Sequence, residues 1–135
     1  MNTATLLLVF ILGAINAAYA GLDENLAKAL HAKCIEETGA DEERIPNALK
    51  GEFPDDPKFK CYIKCITVNF GAMAEDGKVT FTDDIKKQLP DDIAEPISKM
   101  VNTCKNKLKS EDVCERAYEL HKCVYDIDPT KYFLF

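Results

Sequence analysis

Six cysteines are the residues of this 135-residue chain best suited to chemistry: Cys34, Cys61, Cys65, Cys104, Cys114 and Cys123, separated by 26, 3, 38, 9 and 8 residues. Thiols in that number either hold a metal or cross-link the chain. Zinc sites favour two-residue gaps with His or Cys partners, whereas the tight gap here has three residues and the only histidines, His31 and His121, lie far apart. Cross-linking is the better reading. Six thiols allow 15 pairings. Cys61 and Cys65 stand four apart on one helix, with Cβ atoms about 5–6 Å apart against the ~3.8 Å that a disulfide prefers. Cys114 and Cys123, nine apart, leave a helix from opposite sides. Each exclusion removes three pairings and one pairing falls to both, so ten remain.

Other reactive types are scarce. A hydrolytic triad would have to combine Ser98 or Ser110 with one of the two histidines. A secreted phospholipase needs a glycine-rich calcium loop and a His beside an Asp, but His31 lies between Leu30 and Ala32, and His121 between Leu120 and Lys122. The paired two-residue cysteine gaps of saposin-like peptides are missing as well. No enzyme, cofactor or metal is expected. With 17 Lys+Arg against 23 Asp+Glu, the formal charge of -6 disfavours nucleic acid and anionic lipid, both of which need a basic surface.

The compartment follows from the first twenty residues, which contain no Asp, Glu, Lys or Arg. Leu6 to Ile15 is an apolar run shorter than the ~20 residues of a membrane span, and Ala18-Tyr19-Ala20 has the small-x-small form of a cleavage site. Residues 1–20 therefore read as a secretory signal peptide and 21–135 as the mature domain. Export to an oxidising fluid turns the six cysteines into three disulfides.

The elements that must position these cysteines are helical. Leu22, Leu26, Leu30 and Cys34 form one stripe of a first helix ending near Thr38-Gly39. Asp41 to Leu49 is a short second helix containing Pro46, and Pro57 opens a third that reaches Phe70-Gly71. Glu75 to Lys78 is a turn, and Val79-Thr80-Phe81 is briefly extended. Thr82 caps a short fourth helix that stops before Pro90. Ile93, Ile97, Met100, Val101, Cys104 and Leu108 share a face of a fifth helix over 91–108, starting either at Asp91 or at Pro96. Ser110-Glu111-Asp112 caps a sixth, running to about Asp126. This helix carries an aliphatic face, a charged face and a mixed face of Cys114, Tyr118, His121 and Tyr125, so it packs on more than one side. The expected fold is all-α: a compact, disulfide-stapled domain of about six helices enclosing an apolar cavity. Cross-linked short helices need not fill their interior to stay folded.

This cysteine spacing, behind a signal peptide and across mostly short helices, resembles the insect odorant-binding proteins, the family that includes pheromone-binding proteins. The three- and eight-residue gaps are its most specific parts. The resemblance implies first-to-third, second-to-fifth and fourth-to-sixth pairing: Cys34–Cys65, Cys61–Cys114 and Cys104–Cys123. It also implies a secreted, non-enzymatic carrier that dissolves small hydrophobic odorant or pheromone-like molecules for chemosensory receptors, as a monomer or weak homodimer. An alternative keeps the fold and places the carrier in haemolymph, saliva or reproductive fluid.

By matched positions, the cavity wall includes Phe70, Met73, Val79 and Phe81 around the connection after the third helix, and Ile93 and Ile97 on the fifth. Ala117, Leu120 and Val124 belong to it from the sixth, with Leu89 and Met100 as further members. Thr67, two residues after the third cysteine, matches a hydroxyl that orients polar ligand groups. Its helical sector, however, is shared with Lys60 and Lys64 and looks solvated. The apolar end Tyr132-Phe133-Leu134-Phe135 must pack on something, and Phe133 and Phe135 are the expected lid contacts. His121, or carboxylates near the tail, would release ligand in mildly acidic fluid.

Overall fold

The computed structural model describes residues 24–135; the expected leader, its cleavage point and Leu22 lie outside the described residues. In chain order the elements are α1 (Glu24–Thr38), the 3₁₀ helix η1 (Glu42–Lys50), α2 (Pro57–Phe70), α3 (Asp83–Lys86), α4 (Asp91–Cys104), the 3₁₀ turn η2 (Lys105–Lys107) and α5 (Val113–Ile127). Among the described residues, the only extended pairing is an isolated antiparallel bridge between Met73 and Val79. No described helix is long and apolar enough to cross a membrane.

Local chemistry sets the boundaries. Asp41, Asp56, Thr82 and Asp112 each accept a hydrogen bond from a backbone N–H in the first turn of the helix they precede, satisfying donors that the helix leaves unpaired. The sixth expected helix is thus capped by Asp112 rather than Ser110, whose Oγ instead accepts from the Asp112 N–H at 3.2 Å. Gly71 ends α2 at φ +95°, a conformation that side chains resist. A Cβ there would also meet Ile85 Cδ1 at 2.7 Å. The chain consequently turns sharply into the 72–82 connection at the mouth of the cavity described below.

Two expectations change. The fifth helix starts at Asp91 and carries Pro96 inside it, but α-geometry stops at Cys104, four residues short. Lys105, Asn106 and Lys107 are all exposed and offer no apolar stripe to hold another α-turn. On α1, Leu30 and Cys34 are buried while Leu26 is 42% exposed, so only the end stapled to α2 is drawn into the core.

Helix α2 packs against both α1 and α5, and α4 lies along α5. Each of these contacts carries a disulfide: Cys34–Cys65 joins α1 to α2, Cys61–Cys114 joins α2 to the start of α5, and Cys104–Cys123 joins α4 to α5. Their Cα separations of 5.6, 4.7 and 5.8 Å fall within the usual range. Phe59, Tyr62 and Ile63 on α2 are essentially inaccessible, as is Ala117 on α5. The small side chain at Ala117 lets these two helices approach closely.

Candidate functional site

An apolar cavity of about 80 Å³ lies between α2, α4, α5 and the C-terminal tail. Ile66, Thr67 and Phe70 face it from α2, Ile97 and Val101 from α4, and Leu120, His121 and Val124 from α5. Ala72 and Phe81 come from the connection after Gly71, and Tyr132 to Phe135 form the remaining wall. The i, i+3/i+4 spacing of Ile66 and Phe70, Ile97 and Val101, and Leu120 and Val124 is what aims three helices at one hole.

The structure brings Thr67, Phe70, Phe81, Ile97, Leu120, Val124, Phe133 and Phe135 together at the cavity. Met73, Val79, Leu89, Ile93, Met100 and Ala117 do not line it. Their side chains pack in or against the helix core; Met73, for one, is 1% exposed beside its bridge to Val79. Matched positions cannot separate a core contact from a cavity contact on the same apolar face. Val101 shares the apolar face of the fifth helix without being expected in the cavity wall, and Ile66 joins the wall from one turn before Phe70 on α2. Ala72, His121, Tyr132 and Leu134 carried no hydrophobic-stripe signal that would have assigned them.

Thr67 is 4% exposed rather than solvated. Its apparent solvent sector is misleading because Lys60 and Lys64 are themselves partly covered. Their stems lie along the protein while the ammonium groups turn outward, Lys60 to Asp55 and Glu115, Lys64 to Glu75. The cationic head of Lys60 also sits 4.8 Å from the Tyr118 ring centroid. Hydrogen bonds donated to both carboxylates hold its pKa well above the ordinary lysine value, so it stays charged.

The polar groups in the wall bond to one another. Thr67 Oγ1 is 2.6 Å from the Ile63 carbonyl oxygen and 2.9 Å from His121 Nε2, and His121 Nδ1 is 2.9 Å from Tyr132 Oη. Burial lowers the His121 pKa from 6.5 to about 4, because an imidazolium loses its hydration there. The ring is therefore neutral at neutral and mildly acidic pH. That contradicts the expectation that it senses mild acid. Burial likewise pushes the Tyr132 phenol far above its ordinary value, so it remains protonated.

The tail is held by rings as well as hydrogen bonds. Tyr132 meets Phe53, Tyr125 and His121 edge-to-face at centroid distances of 5.6–5.7 Å, each such contact adding about 0.5–1.5 kcal/mol beyond burial. Phe135 packs edge-on to Phe70 and stacks on Phe133. At its far end, the Tyr62 hydroxyl donates to the Phe135 backbone oxygen.

Residues 18–126 match the model of the PBP/GOBP family. The chain belongs to this family. Among its PBP/GOBP relatives, the B2 protein of Tenebrio molitor is 35% identical over 111 residues, covering 79% of this chain and 83% of that one. Odorant-binding protein 4 of Chrysopa pallens superposes with a TM-score of 0.71 at 31% identity, covering 84% of this chain and 99% of the other. Odorant-binding protein 7 of Anopheles gambiae, solved with four disulfide bridges in complex with an azo compound, gives 0.66 at 33% identity over 76% of this chain and 83% of that one. The chain thus shares an all-α fold with these odorant-binding proteins, here stapled by three disulfides, and family membership supports an odorant-binding carrier.

Proposed function

We propose that the protein is a secreted carrier that takes up small hydrophobic odorant or pheromone-like molecules in aqueous extracellular fluid and delivers them to chemosensory receptors. The carrying observation is the cavity between α2, α4, α5 and the tail, whose few polar side chains are bonded among themselves. Such a surface gains free energy by removing apolar ligand area from water, at roughly 25 cal/mol per Å². The ligand contacts are Phe70, Phe81, Ile97, Leu120 and Val124, with Ile66 and Val101 beside them, Thr67 at the polar end, and Phe133 and Phe135 as the lid. The azo compound bound by the Anopheles relative is consistent with an apolar cargo.

A volume of about 80 Å³ is below the roughly 300–1,000 Å³ of ordinary ligand sites. A longer ligand therefore enters by displacing the tail, a wall that no disulfide ties down. The test is displacement of a fluorescent apolar probe from the fully oxidised protein by a panel of volatiles. Saturable displacement is expected; failure of every probe and volatile to bind would remove the carrier reading.

A further inference from the structure

A second recess lies on the outside of the molecule. Arg44 and Asn47 line it from η1, and Glu52, Phe53 and Pro54 from the connection to α2; its volume is about 380 Å³, within the roughly 300–1,000 Å³ of ordinary ligand sites. Its floor is fixed before anything binds. Phe53 meets Phe59, Tyr118, Tyr125 and Tyr132 edge-to-face, and its carbonyl accepts from the Tyr118 hydroxyl at 2.7 Å. On the α2 side, Asp55 is bonded to Lys60. Gly51 turns the chain into the recess at φ +86°, and a Cβ there would meet the Tyr125 hydroxyl at 2.8 Å. Such a frame loses little conformational freedom when a ligand arrives.

The polar side chains of the recess are, by contrast, unused. The Arg44 guanidinium approaches only Asp41, at 3.8 Å, and among the described residues the Asn47 and Glu52 side chains make no hydrogen bond or ion pair. A cation and an anion thus line one recess without neutralising each other, above a half-buried phenyl ring and a proline. A simple carboxylate is repelled by a chain of formal charge -6, and a simple amine uses one of the two charges. A zwitterion meets neither objection. We propose that this recess binds an aromatic α-amino acid, its carboxylate on Arg44, its ammonium on Glu52, the Asn47 amide beside them, and its ring on Phe53 and Pro54. The site is separate from the apolar cavity and goes beyond the carrier reading. Because its charges are exposed, each ion pair adds little, and the affinity belongs in the millimolar range.

The test is a titration of the fully oxidised protein with phenylalanine, hydrocinnamate and phenethylamine at neutral pH, read by NMR at the backbone amides of Arg44, Asn47 and Glu52. Hydrocinnamate lacks the ammonium and phenethylamine the carboxylate. Phenylalanine should bind roughly two- to fivefold more tightly than either, the worth of one exposed ion pair. Arg44→Gln should reduce phenylalanine to the level of phenethylamine, and Glu52→Gln to that of hydrocinnamate; both positions are exposed, so neither change disturbs the core. Filling the inner cavity with a fluorescent apolar probe should leave the phenylalanine titration unchanged. No saturable shift at these amides, equal binding of the three compounds, or competition by the apolar probe would overturn the proposal. The carrier reading is judged by the probe itself, whose binding does not depend on this recess.

Discussion

Both histidines reach a tyrosine that holds the C-terminal tail, and they do so in opposite surroundings. His121 sits at the cavity between Thr67 and Tyr132, with both contacts at 2.9 Å. His31 sits midway along α1, half-buried, with Nδ1 2.6 Å from Tyr62 Oη and Nε2 2.7 Å from the exposed carboxylate of Glu42. The inner chain, from the Ile63 carbonyl to Tyr132, has three contacts, and Thr67, a neutral His121 and Tyr132 supply one hydrogen to each. It is complete without charge.

The outer chain also has three contacts, but it runs between two pure acceptors, Glu42 and the Phe135 oxygen. Tyr62 and a neutral His31 bring only two hydrogens, so all three bonds close only on an imidazolium. Two similar residue pairs therefore hold the tail differently. The inner anchor is confined to one protonation state by burial, while the outer one runs out to the exposed carboxylate of Glu42.

The largest expected effect is the acid sensitivity of the inner anchor. His121 titrates at about 4 in the folded protein against 6.5 when solvated. Between those values the unfolded chain binds the extra proton, so stability rises with pH across the window and is lost as pH falls from 6.5 towards 4. The full loss is about 3 kcal/mol. Urea unfolding at intervals across that window should show this slope in the native protein, on top of the carboxylate titrations, and a flatter curve for His121→Gln, which retains donor and acceptor without titrating. Identical slopes would mean that His121 is solvated in the folded protein, and the contrast between the anchors would be lost.

Tyr132→Phe comes next. It keeps the ring among Phe53, Tyr125 and His121 and deletes only the hydroxyl, leaving His121 Nδ1 without its donor. A buried group stripped of its partner costs about 1–3 kcal/mol. Thermal unfolding of the variant at neutral pH measures the loss, and a change of a few tenths would show that water reaches Nδ1.

Much of the frame was legible because it is written in local patterns. The i, i+4 stripes, the capping Asp and Thr residues and the glycine after Phe70 predict α1 to α5 to within a few residues, apart from the end of α4. The cavity was half legible for the same reason. Leu120 and Val124, or Ile97, are apolar residues on an inward face, but so is Ala117, and only the three-dimensional packing decides which of them meets another helix and which meets a hole. The polar wall was legible only as separate candidates, Thr67 and His121, and not as a bonded chain. Thr67, His121 and Tyr132 come from α2, α5 and the tail, and bonds between them span 54 and 11 residues. Lys60 and Lys64 concealed Thr67 further, because a lysine whose stem is buried looks the same in sequence as one that is solvated.

Tyr62→Phe is the smallest of the expected effects. Tyr62 is fully buried, but its hydroxyl bonds to the half-buried His31 and Phe135, which can both turn to water once it is gone. Neither partner is left stranded, so the cost should be about 1 kcal/mol, the net worth of an ordinary hydrogen bond rather than the penalty for an unsatisfied buried group. The functional consequence should exceed the thermodynamic one. With its end freed, the tail opens more often, and an apolar probe should enter and leave faster while the ligand selectivity set by the cavity wall stays the same. Stopped-flow mixing with the probe separates the two anchors: faster exchange with unchanged selectivity for Tyr62→Phe, altered selectivity for Tyr132→Phe. If Tyr62→Phe changed selectivity, or cost as much stability as Tyr132→Phe, the tail would be gripped as a single unit, and the division between a chemical wall and a mechanical latch would not hold.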